Sequence, residues 1–304
     1  MELVENIELK KPLTFDEQVE KLKTHGLIIA HEDEAKKVLR KVNYYRFTGY
    51  ALQFRQSKFN SDYVGGTTFE RVYKLCVLDE MLRDVLRKYI EKVEVYYKTQ
   101  IAYGFTFSKC NVPPYNQHYD ATNFYNRLGY QEIVDSFAKE RNYYKDSLIV
   151  KHHKKKYGGK MPLWVIMELM SFSNVSKLYS SMYFSEKDII AQAVGTGRET
   201  LVNNLHCLSV LRNKCAHAAR LYNTLFNPPA MFTKAFLRKY TEVKNDSLFA
   251  YVIVLAKRLP DTESKKVLIS DIGNIVKQFD KRDISRIGFP ENYLAILTKE
   301  SNCD

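Results

Sequence analysis

The sequence is poor in the residues that build stapled, linker-rich or membrane-spanning chains. Its 304 residues include only 12 Gly and 8 Pro, too few for a collagen-like chain or a turn-dense all-β domain. The five Cys, at 76, 110, 207, 215 and 303, show no CxxC pair and no metal-ligand spacing. An odd, scattered set of thiols suits a reducing, cytoplasmic compartment better than a disulfide scaffold. The longest apolar run, Leu248 to Ala256, falls far short of the roughly 20 residues that span a bilayer, so no membrane association is expected. The opening MELVENIELKK has acidic residues and no apolar core, unlike a secretory signal.

What is present is apolar, aromatic and basic. Apolar residues make up 45% and charged residues 27%, which excludes global disorder, and a chain of this length can bury a core without staples. There are 22 Tyr and 17 Phe against a single Trp. Net charge is +12, and it is uneven. Residues 1–150 carry 23 basic and 21 acidic side chains, whereas residues 151–304 carry 24 and 14. A basic second half rich in aromatics points to a polyanionic partner, nucleic acid first, against the plain alternative of solubilising lysines.

Helical periodicity dominates. Thr14 with Glu17 reads as a capping box, followed by Phe15, Val19 and Leu22 at helical spacing and a stop at Gly26. A short helix is expected over 31–42. Thr67 with Glu70 suggests a second capping box opening a long helix to about Tyr103, with a loop or covering segment over 104–130. Further helices are expected at 130–142, 145–157, from Pro162 to Met182, from Arg198 to Tyr222, and near 230–258 and 263–280. Gly158-Gly159 and Pro228-Pro229 interrupt them. The expectation is an all-α protein with an N-terminal helical segment (1–66), a central helical bundle (67–228) and a C-terminal extension (229–304), the last packed on the same bundle or separate from it.

The sharpest stretch is His206 to Asn223. On a helix, Leu201, Leu208, Leu211, Cys215 and Ala219 share one side, and His206, Ser209, Asn213, His217 and Arg220 share the opposite one. Asn213 and His217 are four apart and so neighbours, while Arg212 is about 140° round from His217, within reach of the same ligand for a long guanidinium. Histidine moves protons near neutrality, arginine forks onto phosphate, and asparagine can orient either. This set suits RNA cleavage by the ribose 2′-OH, which requires proton transfer and a charged donor for the phosphorane and requires neither metal nor cofactor. Spacing alone fits a solvated helix face equally well.

The string RNKCAHAARLYN resembles the RNxxAHxxRLYN signature of AbiD/AbiF-like abortive infection proteins, a form of the R-x4-6-H motif of HEPN ribonucleases. Three further motifs fit in the same order. NYYRFTGY is similar to that family's YYR-x-x-GY opening, LRDVLRKYIEKVEVYYKTQIAY to its long central helix, and MPLWVIMELMSFSNV to its PLW-x-x-x-E-x-x-SFG segment, with Ser173 where Gly is usual. The resemblance covers about residues 10–225. It implies a HEPN-like helical bundle in a homodimer, where two motifs form one composite site. By carry-over, Arg212 binds the scissile phosphate, His217 transfers the proton and Asn213 orients, with Arg220 and Tyr222 lining the groove. It further implies an anti-phage toxin of the bacterial cytoplasm that cuts RNA, held off in some members by a small structured non-coding RNA.

Other residues keep two readings. Lys154, Lys155 and Lys156 either face solvent or contact an RNA backbone. Arg46 and the tyrosines at 44, 45 and 50 either stack on unpaired bases, or Tyr44, Phe47 and Tyr50 pack the N-terminal helices on the bundle, with Arg46 left open. Glu91, Glu94 or Glu168 would suit a carboxylate supporting the arginine of the active helix. Two other functions stay open beside the ribonuclease: a non-catalytic RNA-binding protein, and a phage-sensing protein-interaction module.

Overall fold

The computed structural model describes residues 9–301, and among them it is all-α, with fifteen α-helices and only isolated bridges in place of strands. The N-terminal reading over residues 1–8 and Cys303 lie outside the described residues. Cys76, Cys110, Cys207 and Cys215 are buried and in no disulfide. No described helix is long and apolar enough to cross a membrane. The chain divides into two compact units, residues 1–80 and 81–304.

The first unit holds α1 (Phe15–Thr24), α2 (Glu32–Lys41), α3 (Tyr44–Ala51) and the start of α4 (Phe69–Lys109). The capping box is present. Thr14 Oγ1 accepts from Glu17 N at 3.2 Å and Thr14 N donates to Glu17 Oε2 at 2.7 Å. Val19 and Leu22 are buried, and Gly26 stops the helix at φ +83°. In α3 the packing reading holds for Phe47 and Tyr50. Phe47 stacks on Phe69 at 4.4 Å, and Tyr50 Oη donates to Asp79 at 2.6 Å. Tyr45 is exposed and Tyr44 half-buried. The cap of α4 is Thr68 rather than Thr67. Thr68 Oγ1 accepts from Arg71 N, while the Thr67 hydroxyl turns back onto Val64 O.

The second unit contains the rest of α4, then α5 (Arg127–Tyr143), α6 (Leu148–Tyr157), α7 (Leu163–Leu169), α8 (Phe172–Ser181), α9 (Phe184–Ala193) and α10 (Arg198–Ala216). It closes with α11 (Lys234–Lys239), α12 (Leu248–Arg258), α13 (Thr262–Val276), α14 (Lys281–Arg286) and α15 (Tyr293–Ser301). The expected single helix from Pro162 to Met182 is two, α7 and α8. Met170 is extended (ψ 139°), and the Ser171 hydroxyl caps α8 by accepting from Asn174 N. Likewise 230–258 is two helices, because the Ser247 hydroxyl caps a new start at Leu248.

The apolar run Leu248–Ala256 is α12, buried on every side. A helix apolar all round belongs in the middle of a core. It packs against α10, α13 and α15, so the C-terminal helices share the second unit with α10. α10 also packs on α8 and α9. Gly104 lets α4 approach α9 closely, since a Cβ there would overlap Ile190 Cγ1.

Candidate active site

Helix α10 is held on three sides, and that sets what it exposes. Leu201, Leu205, Leu208, Leu211 and Cys215 are buried against α8, α9 and α12. The buried face is wider than the sequence pattern gives. Ser209, placed on the polar stripe, is buried, its hydroxyl turned onto His206 O at 2.9 Å. His206 and His217 are exposed.

The helix ends at Ala216, not at Tyr222. His217 N still donates to Asn213 O at 3.0 Å, but Ala218 takes a left-handed conformation at φ +51°. Ala219 N then donates to Lys214 O at 2.8 Å, a Schellman-type closure. A non-glycine residue in this region is uncommon and needs support. The residues just beyond the turn supply it. Leu221 and Tyr222 are fully buried, and Tyr222 Oη donates to Asp283 Oδ1 of α14 at 2.7 Å. Burial, with the Asp283 carboxylate beside it, pushes the Tyr222 phenol well above its ordinary pKa, so it stays a neutral donor. Tyr222 therefore does not line a groove, and Arg220 leaves the helical stripe for the turn, half-buried.

Arg212 faces α4. Its Nε lies 3.4 Å from Glu94 Oε2, and Lys98 Nζ reaches the other oxygen of the same carboxylate at 3.0 Å. The Glu94 and Lys98 side chains are only 13% and 14% exposed, and that of Arg212 is 39%. At 3.4 Å this is an ion pair that keeps the guanidinium at the α4 carboxylate and leaves its donors for an incoming anion. These residues border a groove of about 360 Å³ that also takes in Arg87, Glu91 and Ala216. Of the three glutamates that the sequence offers for this role, Glu94 contacts Arg212, while Glu91 and Glu168 are exposed. Lys98 was missed, although its (i, i+4) spacing from Glu94 is a signal a helix reading can use.

Asn213 points elsewhere, to α8, where its Nδ2 donates to Ser173 Oγ at 3.0 Å. The serine that departs from the resembled pattern is thus the partner of a signature residue. Ser173→Ala removes that acceptor. It is expected to lower the unfolding free energy by about 0.5–1.5 kcal/mol, read from the urea midpoint at unchanged slope. An unchanged midpoint would mean the bond does not hold Asn213.

Lys154, Lys155 and Lys156 form the exposed last turn of α6, where cations also complement the helix dipole. His152 is exposed and His153 is buried with Nδ1 2.8 Å from Ile149 O, the two rings edge to face at 5.1 Å. Arg46, half-buried on α3, belongs to the first unit. Among the described residues no three His, Cys, Asp or Glu side chains gather in a way that could hold a metal ion.

The fold and this helix define an all-α protein whose Arg–Asn–His signature sits at the end of one packed helix, its arginine anchored to a carboxylate of the long α4. The chain belongs to the Abi-like protein family, an abortive infection family, whose model matches residues 37–223. That span runs from α2 to just past Tyr222. No curated protein and no solved structure gives a significant match.

Proposed function

We propose that this chain is an abortive-infection endoribonuclease of the HEPN type, nearest the AbiD/AbiF-like proteins, cleaving RNA at a composite site in a homodimer. In the proposed reaction the ribose 2′-oxygen attacks the adjacent phosphorus and its proton passes to a general base. The 5′-oxygen leaves with a proton from a general acid, and the products are a cyclic phosphate and a free 5′-hydroxyl. His217 is the proton-transfer residue, Arg212 binds the scissile phosphate, and Asn213 orients. Arg220, Arg46 and Lys154–Lys156 are candidate contacts to the strand. Control by a small structured RNA belongs to the same proposal.

The observation that carries the reading is the Arg212–Glu94 pair at the edge of an open groove. An arginine that served only as a surface charge would have no need of a carboxylate this sheltered. A pre-set guanidinium beside developing phosphorane charge is what such a transition state demands. The homodimer is part of the proposal, and the spacing on the helix supports it. Arg212 and His217 diverge by about 140°, so an isologous contact would complete the set with the second copy's residues.

The test is purified protein with single-stranded RNA in EDTA. Expected are fragments with cyclic-phosphate and 5′-hydroxyl ends, while DNA of the same sequence stays intact for lack of the 2′-OH. Tight RNA binding without any cut would move the assignment to a non-catalytic RNA-binding protein.

A further inference from the structure

The outer face of α4 does not end at Lys98. Beyond it lies a second, larger cavity of about 680 Å³, walled by α4, α7 and the segment after α4. Lys98 lines both cavities. The second is built differently from the first. Tyr103 and Phe107, one turn apart, both stand 63% exposed with ring centroids 4.5 Å apart. Trp164, the single tryptophan of the chain, faces them half-exposed from α7. Tyr115 closes one end from a left-handed backbone position at φ +58°. A bulky residue held there is uncommon and marks a locally constrained segment. In the wall, the Thr106 hydroxyl is buried with no hydrogen-bond partner.

Four exposed aromatic rings around one cavity are poor solubility design. The walls are flat, apolar and π-faced, and Glu168 at the rim would repel a phosphate. The cavity therefore fits a planar heterocycle rather than an anion. The only cation among its lining residues, Lys98, stands at the junction with the groove that holds Arg212. From Lys98 to Phe107 is nine residues of helix, about 13 Å along the axis. That reach suits neighbouring nucleotides of one strand.

We propose that this cavity is a base-binding pocket. An unpaired nucleobase of a single-stranded RNA stacks against Tyr103, Phe107 and Trp164 while the backbone passes Lys98 toward Arg212. The inference rests on the proposed RNA substrate and specifies it: single-stranded, with at least one base free to leave its neighbours. Aromatic stacking of this kind tolerates any base, so the pocket selects for unpaired structure more than for sequence.

Trp164 gives a direct readout. The full chain is titrated with a short 2′-O-methyl oligoadenylate, which no 2′-OH mechanism can cut, and with an abasic strand of the same length. Expected is quenching and a shift of Trp164 emission by the oligoadenylate alone. The abasic strand should bind more weakly, and Phe107→Ala, exposed and so compatible with folding, should weaken the base-bearing strand by roughly 5- to 100-fold. Equal affinity for the two strands, or no change in emission, overturns the pocket. Adenosine monophosphate binding as tightly as the strand would make it a free-nucleotide site and overturns the assignment to RNA. Because nothing is cleaved in the titration, failure of the pocket and failure of the ribonuclease reading are seen separately.

Discussion

Replacing His217 by alanine is expected to reduce RNA cleavage by roughly 10²- to 10⁴-fold while leaving the folded protein and its RNA affinity in place. Folding should survive because the side chain is exposed, and the bond His217 contributes to the end of α10 comes from its backbone N–H to Asn213 O. Alanine keeps that donor. Arg212→Ala should lose cleavage to a similar degree but also weaken RNA binding, since it removes a phosphate contact. The protein should tolerate this too. Glu94 keeps Lys98 at 3.0 Å, so no sheltered carboxylate is left alone. Arg212→Lys separates charge from shape, and a lysine that fails to restore cleavage would show that the planar fork is needed. The measurement is growth after induction in a bacterial host together with the ends of co-purifying RNA, each variant beside the parent. Unchanged cleavage in His217→Ala would remove the histidine from the mechanism and with it the HEPN-type chemistry.

The sequence makes the class of fold legible and singles out the candidate helix, and it misplaces element boundaries. The Thr14–Glu17 box, Val19 and Leu22 could be read because local chemistry decides them: a hydroxyl, a carboxylate and a helical period. The end of α10 could not. Nothing in KCAHAARLYN breaks a helix, since alanine and arginine are good helix formers. Just beyond the turn at Ala218, Leu221 and Tyr222 are buried and Tyr222 is bonded to Asp283, some sixty residues away in sequence. The same holds for Ser209 and for the division of the 162–182 stretch, where enclosing helices and a serine cap outweigh the apolar pattern. Within the site, a supporting carboxylate for the arginine could be anticipated. Which glutamate fills that role, and that Lys98 shares it, depends on how α4 faces α10.

The contact between Tyr222 and Asp283 also ties the region beyond the family match to the candidate signature. The match ends at residue 223, yet the hydroxyl of Tyr222 is held by α14, and both side chains are essentially inaccessible to solvent. Tyr222→Ala should empty a large core position and cost about 3–5 kcal/mol, on the scale of other aromatic truncations. Tyr222→Phe keeps the ring and isolates the hydroxyl. Losing that hydrogen bond to a charged acceptor is expected to cost about 1.5–3 kcal/mol. Urea unfolding of the two variants beside the parent gives both numbers from one type of curve. The functional consequence is separable at a temperature where all three proteins remain folded. If the bond fixes the left-handed turn, Tyr222→Phe should lose cleavage as well as stability, because His217 sits one residue before Ala218. A phenylalanine variant that unfolds earlier but cuts RNA at the parent rate would make the contact one of stability alone. One whose unfolding midpoint matches the parent would show that α14 does not hold the signature turn.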